Sequence, residues 1–332
     1  MPESRATSIE AAAPLVERPN TPSAGREAVG DRLYYGLLWV LGIFVLVVAG
    51  LIVLNLALVS RPLFAVESVW SFVHGDDWDP VTHQFGALPF IYGTLVTSAV
   101  SIVVAVPIAV GLALFITQFS HKRLAPFLSI PVELLAAIPS VVYGLWGLAV
   151  LVPWLRTVVE PFLSRTLGFL PIFKGPALGF GYLAAGLVLA VMILPTIVSV
   201  SAEVMKTTPE AQREAALALG ATTWESVTWS VLPHSRAGIL GACLLGLGRA
   251  LGETMAVTML IGNSRNISLS LFAPGYSLPA VIANEFAEAT DDVHIGALAG
   301  CGLILFVITF LLNAAARWLV TAVQKGPARV AT

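Results

Sequence analysis

The sequence predicts an all-α integral membrane protein with six transmembrane helices, and three observations carry that prediction. Of 332 residues, 57% are hydrophobic and only 11% charged, where a soluble domain carries roughly 25% charged residues. Several charge-free apolar runs exceed the ~20 residues that span a bilayer as a helix. The short alternating segments of a membrane β-barrel are absent from the pattern. The net charge is −2 and no basic run of the nucleic-acid-binding kind occurs, which argues against a polyanionic partner. Cys243 and Cys301 both fall in apolar runs and read as small buried hydrophobes, not as a disulfide framework.

Residues 1–32 mix Pro, Ser, Ala, Glu and Arg without an apolar core. They read as a disordered cytoplasmic tail and not as a signal peptide. The transmembrane domain is expected over 33–320. Run one covers 33–59. A loop carrying Glu67, Asp76, Asp77 and Asp79 follows over 60–90. Run two covers 91–118 with Pro107 inside, where a kink is expected. Run three covers 126–152 and holds Glu133, and 153–175 form a second loop. Run four covers 176–201, with Pro195 near its end. Run five covers 237–262 and run six 295–316, separated by an acidic stretch with Glu285, Glu288, Asp291 and Asp292. Residues 321–332 complete the chain as a C-terminal cytoplasmic tail.

Between runs four and five lies a polar segment, 203–235. Thr208, Pro209 and Glu210 read as N-cap, first helical residue and an acid at the positive helix end. Gly220 suits a left-handed C-terminal position, and Thr222 with Glu225 has the spacing of a capping box. The segment is therefore expected to be helix, tight turn, helix, ending at Leu232-Pro233.

Six spans put both termini on one side. If that side is the cytoplasm, about twelve Lys and Arg lie inside: Arg5, Arg18, Arg26, Arg32, Lys122, Arg123, Lys206, Arg213, Arg236, Arg317, Lys325 and Arg329. About five lie outside: Arg61, Arg156, Arg165, Lys174 and Arg265. This bias follows the positive-inside rule and makes the 203–235 segment cytoplasmic.

Arg249 sits near the middle of run five, with Glu253 four residues on, a helical i,i+4 spacing. A charge at the bilayer centre costs about 2.5–3.5 kcal/mol even on insertion scales. Such groups are kept with a partner or a wet cavity. The Gly248/Gly252 spacing permits close approach of another backbone, and Gly246 adds to the small surface, so run five is expected to be central. Two readings of Arg249 stand side by side. Its guanidinium fork can meet a multiply oxygenated anion, with Glu253 holding it when the path is empty or selecting the anion's protonation state. Alternatively, Arg249 and Glu253 form a buried pair that fixes packing. Glu133 can pair with Arg249 from a neighbouring helix or serve as an interfacial acid. In the polar segment Glu214, Ala215, Ala216 and Gly220 read as a docking surface: small side chains for a partner's groove, an acid for a basic partner group, and a glycine for the turn. An ordinary amphipathic loop helix is the competing reading.

A phosphate-binding Gly-x-x-x-x-Gly-Lys-Ser/Thr loop is missing, and the Gly246/Gly248/Gly252 set lacks dinucleotide spacing. No His or Cys cluster suggests a metal. A membrane hydrolase would need a nucleophile and base, or metal ligands, gathered in the spans, and no such set is visible. The chain is read as a transport subunit without catalytic residues.

The spacing from Glu214-Ala215-Ala216 through Gly220 to Leu232-Pro233 resembles the cytoplasmic loop of ABC importer permeases, with Ser230 where that family usually has an aliphatic residue. Gly246 to Val257, Glu133 to Gly144 and Ala283 to Ala289 are similar to the phosphate-importer branch. The resemblance covers about 33–320. It implies a MetI-like fold of six helices and one half of a translocation path for inorganic phosphate in the bacterial inner membrane. Arg249, Glu253 and Glu133 would then lie on the substrate path, and Glu214, Ala215, Ala216 and Gly220 on the ATPase-coupling surface. The implied partners are a PstA-like second permease, a PstB-like ATPase dimer that binds the ATP, and an extracytoplasmic PstS-like phosphate-binding protein. This chain is expected to hold no cofactor. Permeases for other oxyanions such as sulfate or molybdate, and a subunit that signals phosphate status without carrying flux, remain open alternatives.

Overall fold

A computed structural model describes residues 24–121 and 123–324 of the chain. Expectations for 1–23, Lys122 and 325–332 lie outside the described residues. Helix α1 (Ala24–Val59) starts nine residues before the apolar run, so the expected tail to residue 32 is corrected: its last nine residues are helical. The chain divides within α1 into two units, Met1–Ile52 and Val53–Thr332. The first consists, in its described part, of the long apolar stretch of α1.

The second unit continues from Val53. The expected loop 60–90 contains two short helices, α2 (Arg61–Val66) and α3 (Val69–His74), and a two-stranded antiparallel hairpin, β1 (Trp78–Asp79) with β2 (Gln84–Phe85). Asp79 closes the hairpin turn by accepting from the Thr82 hydroxyl at 2.8 Å and the Val81 N–H at 2.9 Å. These donors hold its carboxyl below the usual range, the Thr82 hydroxyl foremost. Then come α4 (Leu88–Phe119), α5 (Ala125–Ala137), α6 (Ser140–Leu167) and α7 (Tyr182–Lys206). They are followed by α8 (Glu210–Ala218), α9 (Thr223–Leu251), α10 (Met255–Leu260), α11 (Leu278–Glu285) and α12 (Asp292–Gln324). Among the described residues six helices are long and apolar enough to cross a membrane.

Prolines explain where the predicted runs and the helices part company. Run three is not one helix. Ile138 and Pro139 are extended (ψ 129° and 143°), because the proline ring denies α geometry to the residue before it. The run therefore splits into α5 and α6. The spanning helix α6 then continues to Leu167, so most of the expected 153–175 loop is helical. It passes Pro153 and Pro161, each two residues beyond a wide π-type turn (Gly147–Leu151 and Leu155–Val159). The same device carries α9 past Pro233: the turn Val227–Val231 precedes it. A wide turn gives the ring room that a regular α-turn lacks. The expected helix end at Leu232-Pro233 is thereby corrected; the helix runs on to Leu251.

The core centres on α7. Of an 18-residue apolar window, 67% is buried in α7 and 22% in α9. Within the single chain run four, and not run five, is the most enclosed span. Small residues decide it. A Cβ on Gly186 of α7 would meet Val100 of α4 at 2.5 Å, and one on Gly238 or Gly246 of α9 would meet Val204 at 2.3 Å or Ile197 at 2.9 Å of α7. These glycines let α4 and α9 close on α7. On α4, buried Thr94 and Thr97 donate to carbonyls one turn back at 2.7 and 2.8 Å. Their hydroxyls are thus satisfied in an apolar setting. The helix α12 extends to Gln324, past the expected tail boundary at 321.

Candidate functional site

Run five breaks at its charged motif. The helix α9 ends at Leu251, Gly252 takes the C-cap, and α10 begins at Met255. Arg249 and Glu253 therefore do not share one helical face, although their spacing suggested it. Glu253 turns to the new helix and accepts the Ala256 N–H at 3.3 Å, doing the work of a cap at the start of α10. Its side chain is half-buried, while Arg249 is exposed in the single chain and makes no ion pair or hydrogen bond among the described residues. The buried Arg-Glu packing pair is not formed.

Arg249 lies on an open face of α9. A Cβ on Gly241 or Gly248 would meet nothing within 4 Å, and Gly252 is exposed. Leu245, one turn before Arg249, is 58% exposed. Residues 241, 245, 248, 249 and 252 follow the i, i+4, i+7, i+8, i+11 pattern of one helical stripe. The Gly248/Gly252 pair thus receives no backbone from its own chain.

Beside this stripe sits the break between α5 and α6. Tyr143 of α6 is 5% exposed and its hydroxyl donates to the Leu135 carbonyl at 2.7 Å, bridging the break. Gly144 abuts α10: a Cβ there would meet the Ala256 Cα at 3.2 Å and Met259 Sδ at 2.6 Å. The two sequence motifs, Ile138–Gly144 and Gly246–Val257, are thus packed together, each at an interrupted helix. Glu133 lies on α5, exposed, with no ion pair to Arg249 among the described residues.

The docking segment is a separate site. On α8, Glu214 and Ala215 are exposed and Ala216 half-buried. Gly220 turns the chain at φ +86° in open space, the left-handed conformation in which a side chain is strained. Thr222 and Glu225 form the expected capping box: the Thr222 hydroxyl accepts the Glu225 N–H at 3.3 Å, and Glu225 accepts the Thr222 N–H at 2.8 Å. Thr208 is not the cap of α8; Pro209 occupies that position and no side chain caps the helix. Ser230, where the resembling family has an aliphatic residue, keeps a buried hydroxyl without a partner.

The opposite end of the bundle holds a polar cluster that sequence reasoning missed. Glu285 accepts from Trp78 Nε1 at 2.7 Å, lies 3.1 Å from His294 Nε2 and pairs with Arg265 at 3.3 Å. Arg265 also donates to the Trp78 carbonyl. Asn284 donates to the Tyr276 hydroxyl at 3.0 Å, and burial pushes that phenol's pKa up. The only signal was the quoted Ala283–Ala289 motif; its partners come from segments some 200 residues apart. The cluster ties the β1–β2 hairpin to α11 and α12.

The fold and this geometry define a multi-pass membrane component of a transport system, and comparison with known proteins agrees. The family described as "Binding-protein-dependent transport system inner membrane component" matches residues 92–325, and the chain belongs to it. The chain is 42% identical over 322 residues to "Phosphate transport system permease protein PstC" of Mesorhizobium japonicum, covering 96% of this chain and 98% of the relative. It is 43% identical to the protein of that name in Xylella fastidiosa, covering 88% and 91%. It is 45% identical to "Phosphate transport system permease protein PstC 2" of Mycobacterium tuberculosis, covering 73% and 76%. A chain of a solved bacterial ABC transporter involved in the import of the acidic polysaccharide alginate shares the fold, at 18% identity and a TM-score of 0.56, covering 88% of this chain and 97% of that one.

Proposed function

We propose that this chain is the permease subunit of an ATP-driven importer of inorganic phosphate in the bacterial inner membrane, with both termini cytoplasmic. It would form half of the translocation path with a second, PstA-like permease. A PstB-like ATPase dimer would bind the ATP and engage Glu214, Ala215, Ala216 and Gly220, and a PstS-like protein would deliver phosphate from outside. The chain itself would carry no cofactor.

The observation that carries the reading is Arg249: an exposed guanidinium, unpaired among the described residues, on a glycine-lined stripe of a membrane helix. A lone charge in lipid is costly, so this stripe calls for a second protein surface and a wet path between the two. A guanidinium presents donors in a planar fork suited to phosphate oxygens. Glu253 and Glu133 are the acids assigned to the same path. Release to the cytoplasm requires that retention at Arg249 be weak. Labelled-phosphate uptake by the reconstituted complex, with sulfate as competitor, tests the reading. Saturable uptake that sulfate leaves unchanged supports it. Efficient sulfate competition assigns the path to oxyanions in general.

A further inference from the structure

We propose a second oxyanion site, distinct from the Arg249 path, in the cavity between the ends of α4 and α7 and the start of α8. Phosphate bound there from the cytoplasm would slow the transporter. The cavity holds about 340 Å³ and is lined by Thr117 and Gln118 of α4, Lys206 of α7, and Thr208, Glu210 and Arg213 at α8.

Two cations from separate elements converge on it. The near carboxylate of Lys206 is Glu203, 3.6 Å away, but their side chains are 63% and 76% exposed. Such a pair is weak and leaves the ammonium free to turn. The half-buried Arg213 guanidinium makes no ion pair or hydrogen bond among the described residues; its backbone carbonyl alone is engaged, by Ser226. The start of α8 has no side-chain cap, so the positive end of that helix adds to the field. Gln118 Oε1 is sealed from solvent with no partner. That oxygen is out of a ligand's reach, but the Gln118 side chain lines the cavity and its amide N–H can donate to an oxyanion oxygen.

Glu210 sets the selectivity. A carboxylate in an anion site repels a fully deprotonated ion but accepts a hydrogen bond from one that carries a proton. Inorganic phosphate keeps a proton at neutral pH; sulfate and a phospholipid phosphodiester do not. The shared chemistry is a tetrahedral oxyanion, and the proton singles out free phosphate. The consequence is mechanical. A ligand held by Lys206 and Arg213 staples the buried helix α7 to α8, the helix that must move with the ATPase. This inference rests on the orientation and coupling role given above.

The test uses the complete transporter in nanodiscs of phosphatidylcholine alone or with phosphatidylglycerol. Radiolabelled phosphate binding is measured by dialysis without the delivery protein, and ATPase rate is followed against phosphate or sulfate. We expect saturable binding in phosphatidylcholine, at least about 10-fold weaker competition by sulfate, and an ATPase rate that falls as the site fills. Arg213→Gln and Lys206→Gln should each raise the phosphate needed by about 10-fold or more, the loss of one charge-assisted hydrogen bond. Arg213→Lys should restore part of it. Glu210→Gln should erode the preference over sulfate. If all bound phosphate vanishes with Arg249→Gln and none with Arg213→Gln, the second site falls and the transport reading stands. If Arg249→Gln transports normally while Arg213→Gln loses bound phosphate, the path assignment falls and the second site stands. Displacement of phosphate by phosphatidylglycerol with no change in ATPase rate assigns the cavity to a lipid headgroup and overturns the proposal.

Discussion

Helices α7 and α9 are both apolar spans that pack against each other, yet they do opposite work. The first is the axle of the chain, ringed by α4, α9 and the short helices, with 67% of its apolar window buried. The second buries 22% of its window, leaves the space over Gly241 and Gly248 open and exposes Arg249. Glycines occur in both, but they act differently. Gly186 of α7 is filled from outside by Val100, whereas Gly248 of α9 faces empty space. In the single chain the charge on this apolar span, Arg249, lies on the exposed stripe and not in the core.

The sharpest way to break that contrast is Arg249→Gln. Uptake of labelled phosphate should fall by about 100-fold or more, the cost of losing a charged donor at the transition between sides. The variant should still insert and assemble. Normal uptake would remove Arg249 from the path.

Glycine substitutions sharpen the comparison from the structural side. Gly186→Leu should lower the thermal midpoint of the purified chain and its yield, because its Cβ already collides with Val100 and overpacking costs typically about 1–3 kcal/mol. Gly248→Leu should leave the chain's own melting unchanged but cut recovery of the second permease in co-purification. Equal melting losses for the two variants would show that the stripe is packed within the chain.

Smaller effects are expected at the docking segment, which belongs to neither helix core. Gly220→Ala places a Cβ at φ +86°, a strain of about 1–2 kcal/mol. It should weaken ATPase association several-fold in a pull-down while the membrane helices melt normally. Thr222→Ala removes a cap worth about 1 kcal/mol and should give the same pattern more weakly, read as increased proteolysis at the Gly220 turn. An unchanged ATPase association in Gly220→Ala would count against the docking role.

Local chemistry made much of this legible in advance. The capping box at Thr222 and the left-handed turn at Gly220 depend on residues within four positions, and both formed as expected. The split of run three at Pro139 was also written locally, yet an apolar window runs over a proline without registering it. The passage of α6 and α9 through Pro153, Pro161 and Pro233 was hidden for the converse reason: a π-type turn rescues a proline that local rules treat as a stop. Glu253 left its expected face because α9 ends at Gly252 and its carboxylate has a free N–H to meet at the start of α10. The Trp78, Glu285, His294 and Arg265 cluster was invisible, since no spacing along the chain links its members.

The sequence by itself determined the solvent this protein lives in, the number of its crossings, and the presence of a charge that lipid does not tolerate alone. Those properties follow from composition and run length, which need no neighbours. Only the tertiary structure decided which span is the axle, which face is left open, and which two interrupted helices meet beside Arg249. Each depends on distances between side chains far apart in the chain, and packing against α7 sets them.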